Sequence, residues 1–293
     1  MGGPLAEIEV DVALVRSLLE EQHPDLAGLP VRRLASGWDN VIFRLGDELV
    51  VRLPQRSSAV ALVEHEIRWL PDLARGLPLP VPVPLRVGVP GRGYPWSWWI
   101  GPWLPGDSAE ASPPEDLDKA AEVLGRFLAA LHRPAPPDAP SNPYRGVPLA
   151  DRAELFERGL HQLAEVVDRD RVAAAWSVRL STPLWAGAAL WLHGDVHPLN
   201  LLVHRGRLSG VIDFGDLTAG DPASDLAIAW MLFPPGPRGR FRSALGRVVA
   251  VDDDTWLRAH GWALALGVAL ANGDDRVAGI GYRTLRAALA DSP

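Results

Sequence analysis

The sequence predicts an α+β fold, with strands concentrated early in the chain and helices later. Three observations carry this. Short apolar runs at strand spacing crowd the early chain, and helical periodicity dominates from residue 117 onward. Between the later helices, apolar runs at 199–203 and 208–212 flank a turn at His204-Arg205-Gly206-Arg207 and read as a hairpin with polar residues at its ends. A chain of 293 residues can bury one large core or two smaller ones.

Taken in order, residues 9–22 place Val12, Val15, Leu18 and Leu19 on one helical face. Residues 31–34, 40–45 and 48–53 read as three strands, with turns at Ser36-Gly37-Trp38-Asp39 and Gly46-Asp47. A helix over 59–75 aligns Val60, Val63, Ile67 and Leu70 and carries Glu64 and Glu66. Residues 77–84 are proline-rich and extended, and 86–89 with 94–99 read as a strand pair around Pro90-Gly91-Arg92-Gly93. Ser112-Pro113-Pro114-Glu115 has capping-box spacing with a proline at the first helical position. The helix after it is expected to bury Leu117, Ala121, Leu124, Phe127, Leu128 and Leu131 and to stop before Pro134. Residues 133–148 read as a proline-rich loop, followed by helices over 151–168 and 169–180. Asp221-Pro222 can start a helix near Ala223, and the chain is helical from 237 onward. Asp252-Asp253-Asp254 reads as the cap of the Ala-, Leu- and Trp-rich run 256–270.

Composition bounds the function. With 47% hydrophobic and 22% charged residues the chain is globular. It has no cysteine, which excludes disulfide and thiolate chemistry and fits a reducing cytoplasm. The start of the chain carries Glu7 and Glu9 and no basic stretch, so no signal peptide is expected, and no apolar run is long enough for a membrane span. A net charge of -7 argues against nonspecific nucleic-acid binding and mildly favours a cationic partner. Lys119 is the only lysine, so arginine carries almost all positive charge.

The polar residues around the hairpin carry the chemistry. Asp195, Asn200 and Asp213 offer two carboxylates and an amide oxygen, a donor set suited to a hard cation such as Mg2+. One carboxylate could also take a proton from a hydroxyl. A zinc set of His193, Asp195 and His197 is an alternative reading, and a capped loop without catalysis is another.

His193 to Asn200 followed by Asp213-Phe214-Gly215 matches the protein-kinase pattern H-x-D-x-x-x-x-N and D-F-G. His193-Gly194-Asp195 with Asp221-Pro222-Ala223-Ser224-Asp225-Leu226 more specifically resembles the aminoglycoside phosphotransferase family of small-molecule kinases. That resemblance implies a bilobal protein-kinase-like fold. Residues 1–101 would form an N-terminal nucleotide-binding lobe, and 102–293 the hinge plus a C-terminal catalytic and acceptor-binding lobe. It implies that Asp195 is catalytic, that Asn200 and Asp213 hold Mg2+, and that Arg52 stands where the family usually has lysine. Glu66 would pair with Arg52, with Glu64 as the alternative. The backbone N–H groups near Ser36 and Gly37 would neighbour phosphate, and the Pro102 carbonyl and Leu104 N–H would meet the adenine. Asp225 would brace the catalytic loop, His193 would be structural, His197 has no implied role, and Asp216 would face the acceptor or close its turn. The expected activity is transfer of the γ-phosphoryl group of ATP or GTP to a small-molecule hydroxyl, with an aminoglycoside-type antibiotic as first choice. Another metabolite, a macrolide, or a nucleotide-binding pseudokinase without transfer are the alternatives. The expected partners are the nucleotide and the acceptor, with neither nucleic acid nor membrane.

Overall fold

Alternation along the early strands decides which helix each face receives. In the computed structural model, which describes residues 6–37, 39–163, 167–247 and 251–291, a five-stranded sheet has the order β1-β2-β3-β5-β4 with antiparallel neighbours. Its strands are β1 (Val31–Ser36), β2 (Asn40–Leu45), β3 (Leu49–Pro54), β4 (Arg86–Gly88) and β5 (Trp98–Pro102). Val41, Phe43 and Leu45 of β2 and Val51 and Leu53 of β3 point to one face. There they pack with Val15, Leu18 and Leu19 of α1 (Val12–Gln22), whose first turn is capped by Asp11 accepting from the Leu14 N–H. The residues between them point the other way. Val50 packs with Val63 of α2 (Val60–Leu73) and with Trp99, while Ile42, Ile67 and Trp103 join at the rim. Arg52 shares that second face by the same period of two.

The strand pair expected over 86–89 and 94–99 forms later than predicted. Gly88 pairs with Trp98, β5 runs to Pro102, and the bend before it keeps one bridge between Gly91 and Tyr94. Pro95 has no N–H to donate there, and the Tyr94 hydroxyl is anchored instead on the Pro54 carbonyl at 2.7 Å.

These elements form one unit, comprising residues up to Gly76, Pro80–Pro105 and Val211–Gly215. The other unit holds Leu77–Leu79, Gly106–Gly210 and the chain from Asp216 onward. In it, α3 (Leu117–Leu131) packs on α8 (Pro235–Gly246). The α3 cap differs from expectation: Asp116, not Ser112, is the N-cap, and its side chain accepts from the Lys119 N–H at 2.9 Å. Two consecutive prolines precede Asp116, and it already has the oxygen and spacing that capping needs, so the longer Ser112 box is not used. Leu117 is half-buried, while Ala121, Leu124, Phe127, Leu128 and Leu131 are buried as expected.

A short strand β6 (Asp107–Ser108) leads into α3, and α4 (Ala153–Gln162) and α5 (Arg169–Leu180) follow it. Residues 164–166 of the helix expected over 151–168 lie outside the described residues, as do Trp38 of the first turn and 248–250 of the C-terminal region. Beyond α5, β7 (Leu190–Leu192) pairs with β10 (Thr218–Gly220). The hairpin expected at 199–212 is β8 (Leu201–His204) and β9 (Arg207–Val211), joined through Arg205 and Gly206, both at positive φ. Short helices α6 (Ala223–Leu226) and α7 (Ile228–Leu232) then lead to α8, α9 (Asp253–Ala271) and α10 (Asp275–Ala290). Asp252 caps α9 by accepting from the Thr255 N–H at 2.7 Å. The described residues contain no helix long and apolar enough to cross a membrane.

Candidate active site

In the first unit, β3 and α2 face each other through charge. Glu66 lies three residues past the buried Val63, so it turns toward the sheet, while Glu64 is exposed. The Arg52 Nε stands 3.2 Å from Glu66 Oε2, and its Nη2 donates to Asp213 Oδ1 at 2.9 Å. Trp99, the cross-strand partner of Arg52, donates its indole N–H to Glu66 Oε2 at 3.0 Å. Burial dominates the ionisation of Glu66 and pushes it up to about 6, against the attraction of Arg52 and the Trp99 hydrogen bond. Its second oxygen, Oε1, is buried without a hydrogen-bond partner, which adds to the cost of the charged form. Arg52 stays charged: burial acts against it, but Glu66 and then Asp213 raise it further.

Asp213 follows β9 with φ +64, a left-handed conformation that Asp tolerates better than most residues, and its side chain is half exposed. The expected phosphate turn is short. Gly37 donates its N–H to the Asn40 carbonyl at 2.9 Å and accepts from Gln55 Nε2, so that N–H is used within the turn. Ser36 ends β1 opposite Val41. Pro102 closes β5 opposite Leu49, Trp103 donates to the Glu48 carbonyl at 2.7 Å, and Leu104 is half-buried just beyond.

The second unit builds the loop after β7. Asp225 of α6 accepts the His193 N–H at 2.8 Å and the Gly194 N–H at 2.9 Å, and meets His132 Nε2 at 3.1 Å. Burial pushes its carboxyl up, but the His132 hydrogen bond and charge, with His193 and the Gly194 amide, hold it below the usual range. Gly194 has φ +86, and a Cβ there would sit 2.1 Å from the Asp216 carbonyl oxygen, so only glycine fits. The loop therefore delivers Asp195 in one direction. The Asp195 N–H donates to His193 Nδ1 at 3.2 Å, and the Asn200 amide nitrogen donates back to the Asp195 carbonyl at 2.9 Å. That bond turns the Asn200 oxygen away from the Asp195 backbone.

Both oxygens of Asp195 have cationic or imidazole neighbours. Arg145 Nη2 is 3.1 Å from Oδ1 and His197 Nε2 is 3.2 Å from Oδ2. Burial raises the Asp195 carboxyl, yet the His197 hydrogen bond, the His197 charge and Arg145 hold it well below the ordinary carboxylate range. The side chain remains 31% exposed, enough to meet a ligand. Arg145 also donates its Nε to the Gly194 carbonyl and lies 3.9 Å from Asp216, whose Oδ1 accepts from Asn142 at 2.9 Å. His193 and His197 each use Nδ1 on a backbone N–H, and no group of three His, Cys, Asp or Glu able to hold a metal occurs among the described residues.

Four of these residues escaped the sequence. Arg145 and Asn142 lie in a loop with no periodicity to mark them, and His132 follows the end of α3. Trp99 packs in the core, but its indole N–H also serves Glu66. His197 was visible beside Asp195, although spacing alone gave it no task.

Comparison with known proteins agrees with this architecture. The sequence model of the phosphotransferase enzyme family APH matches residues 30–262, and the chain belongs to that family. A stretch of 120 residues is 28% identical to an aminoglycoside 3′-phosphotransferase of Escherichia coli, covering 40% of this chain and 44% of that relative, less than half its length. The fold is similar to that of the GDP and kanamycin complex of APH(2″)-IIia, with a TM-score of 0.70, 20% identity and 95% of this chain and 99% of the other covered. It is also similar to a macrolide 2′-phosphotransferase type I, with a TM-score of 0.65, 21% identity and coverage of 96% and 98%. The fold is thus the bilobal, kinase-like α+β fold of these phosphotransferases.

Proposed function

We propose that the chain transfers the γ-phosphoryl group of ATP or GTP to a hydroxyl of a small molecule. The observation that carries this reading is Asp195, held ionised and in one orientation at the mouth of a loop braced by Asp225. Such a carboxylate is a weak base, and this suits phosphoryl transfer. The transition state is loose, so the hydroxyl proton becomes acidic only as the new P–O bond forms. Asp195 orients the hydroxyl early and takes its proton late. Arg145 and His197 keep the carboxylate aimed.

Arg52, tethered to Glu66, steadies the nucleotide phosphates with a planar guanidinium instead of an ammonium. The turn at Ser36 and Gly37 neighbours the phosphates, although the Gly37 N–H stays with the Asn40 carbonyl, and Pro102 and Leu104 receive the base through backbone groups. Asn200 and Asp213 would hold Mg2+; the amide oxygen of one and the half-exposed carboxylate of the other are hard oxygen donors that fit it. Bound there, Mg2+ supplies neutralisation of phosphate charge.

Release of ADP or GDP, measured with each nucleotide across a panel of hydroxyl compounds, tests the reading. Acceptor-dependent release is expected. A thermal shift with Mg-nucleotide and no transfer to any hydroxyl would instead support a pseudokinase. The relatives' names make an aminoglycoside-type antibiotic the first acceptor to try, with macrolides next. One observation favours a second acceptor class: Arg145, beside Asp195, is poor company for a polycation.

A further inference from the structure

Arg152 ends the 3₁₀ turn Leu149–Arg152 in the second unit, with 9% of its surface exposed. Its Nε and Nη1 are buried and have no hydrogen-bond partner. Two rings flank the guanidinium, Tyr144 at 5.3 Å and Trp262 at 6.0 Å from carbon to centroid. A ring face offsets some of the lost hydration but is no substitute for an in-plane acceptor. Trp262 is itself fully buried, and its indole N–H also lacks an acceptor. Two neighbouring side chains therefore present three buried donors and no acceptor. Other buried arginines of this unit are answered: Arg258 by Asp221, and Arg238 by Asp291 and two backbone carbonyls. A buried charge left without its counter-charge is costly, so it marks a place where a ligand completes the structure.

The position ties this feature to Asp195. Tyr144, whose ring covers Arg152, adjoins Arg145, whose Nη2 reaches Asp195 Oδ1 at 3.1 Å. Asn142 accepts the Tyr144 N–H and donates to Asp216, so one loop supports the Asp195 setting and the Arg152 cover. Arg145 is already occupied by Asp195 and makes the surroundings of Arg152 more positive. Tyr144 is 54% exposed, so this side of Arg152 borders solvent through that ring.

We propose that Arg152 and Trp262 form an anion subsite for the acceptor, so that the compound phosphorylated carries a carboxylate or a phosphate besides its hydroxyl. The acceptor role rests on the phosphotransfer reading above; the anion site does not.

The test uses the full chain without nucleotide. Thermal stability and titration calorimetry are measured with inorganic phosphate and with acetate, each against chloride at constant ionic strength. Saturable binding of at least one anion is expected, and the tighter one tells phosphate from carboxylate chemistry. Arg152→Gln should weaken that binding about tenfold or more and raise the melting temperature of the ligand-free chain, because it removes an unanswered charge. Trp262→Phe keeps the ring, loses one donor and should weaken binding severalfold, which covers the case in which the Arg152 variant does not fold. Absence of saturable binding, or binding unchanged in these variants, overturns the subsite. A chain that binds the anion in an Arg152-dependent way but transfers no phosphate to any hydroxyl would instead overturn only the phosphotransfer reading.

Discussion

Two arginines hold the carboxylates on which the proposed chemistry depends, and shortening each has a different consequence. Arg52 reaches two partners in two directions, Glu66 through Nε and Asp213 through Nη2. A lysine can serve one of them well, so Arg52→Lys should lose roughly tenfold in kcat/KM for nucleotide and Arg52→Ala roughly a hundredfold or more, at the 1.5–3 kcal/mol of a charged hydrogen bond. Steady-state kinetics on both variants checks this, and equal losses would contradict a bridging guanidinium. Glu66 makes the same cluster sensitive to pH. Its folded pKa, about 6, is raised above the ordinary value, so the protonated form is favoured in the folded state. Stability from this group is present at low pH and is lost as pH rises through about 6, whereas the tether to Arg52 needs the ionised form that appears over the same interval. Nucleotide kcat/KM should therefore fall as pH drops through about 6, and Glu66→Gln should remove that limb of the profile. Arg145 acts on Asp195, and Arg145→Ala should lower kcat far more than it raises nucleotide KM.

At the scale of elements, the segment 221–226 works as a brace. Asp221 binds Arg258 of α9 at 2.7 Å and accepts from the Ala223 N–H, while Asp225 holds the Asp195 loop and His132. Asp225→Ala leaves two buried N–H groups and an imidazole without their acceptor, a loss of about 3–5 kcal/mol by chemical denaturation. The brace was legible because Asp225 stands in a motif that pairs with the loop it holds. The capping of α3 was misread because Ser112 and Asp116 are both competent caps, and only the prolines between them decide. The β5 start was missed for a related reason: the aromatic run at 94–99 has strand character throughout, but Pro95 interrupts pairing.

For the whole molecule, strands early and helices late followed from the order of periodicities, and the kinase-like fold with its Asp225-braced loop from the resemblance carried by two spaced motifs. What stayed hidden depends on distant segments meeting. Arg145 and Asp195 are fifty residues apart, Arg52 and Asp213 more than three times that, and no local pattern announces either contact. The segment 211–215 shows this most clearly, since it joins the first unit although its sequence neighbours belong to the second. The donor-rich surroundings of Arg152 were likewise invisible, because an unanswered charge is recognisable only when its neighbours are known.

The central claim is that Asp195 serves the acceptor and not the nucleotide. Asp195→Ala, measured by Mg-nucleotide titration and by acceptor-dependent release of nucleoside diphosphate, tests it most directly. The account predicts a nucleotide dissociation constant within about threefold of the unmodified chain and transfer reduced by a factor of about a thousand or more. Near-normal transfer by that variant, or loss of nucleotide binding in step with loss of transfer, would contradict it.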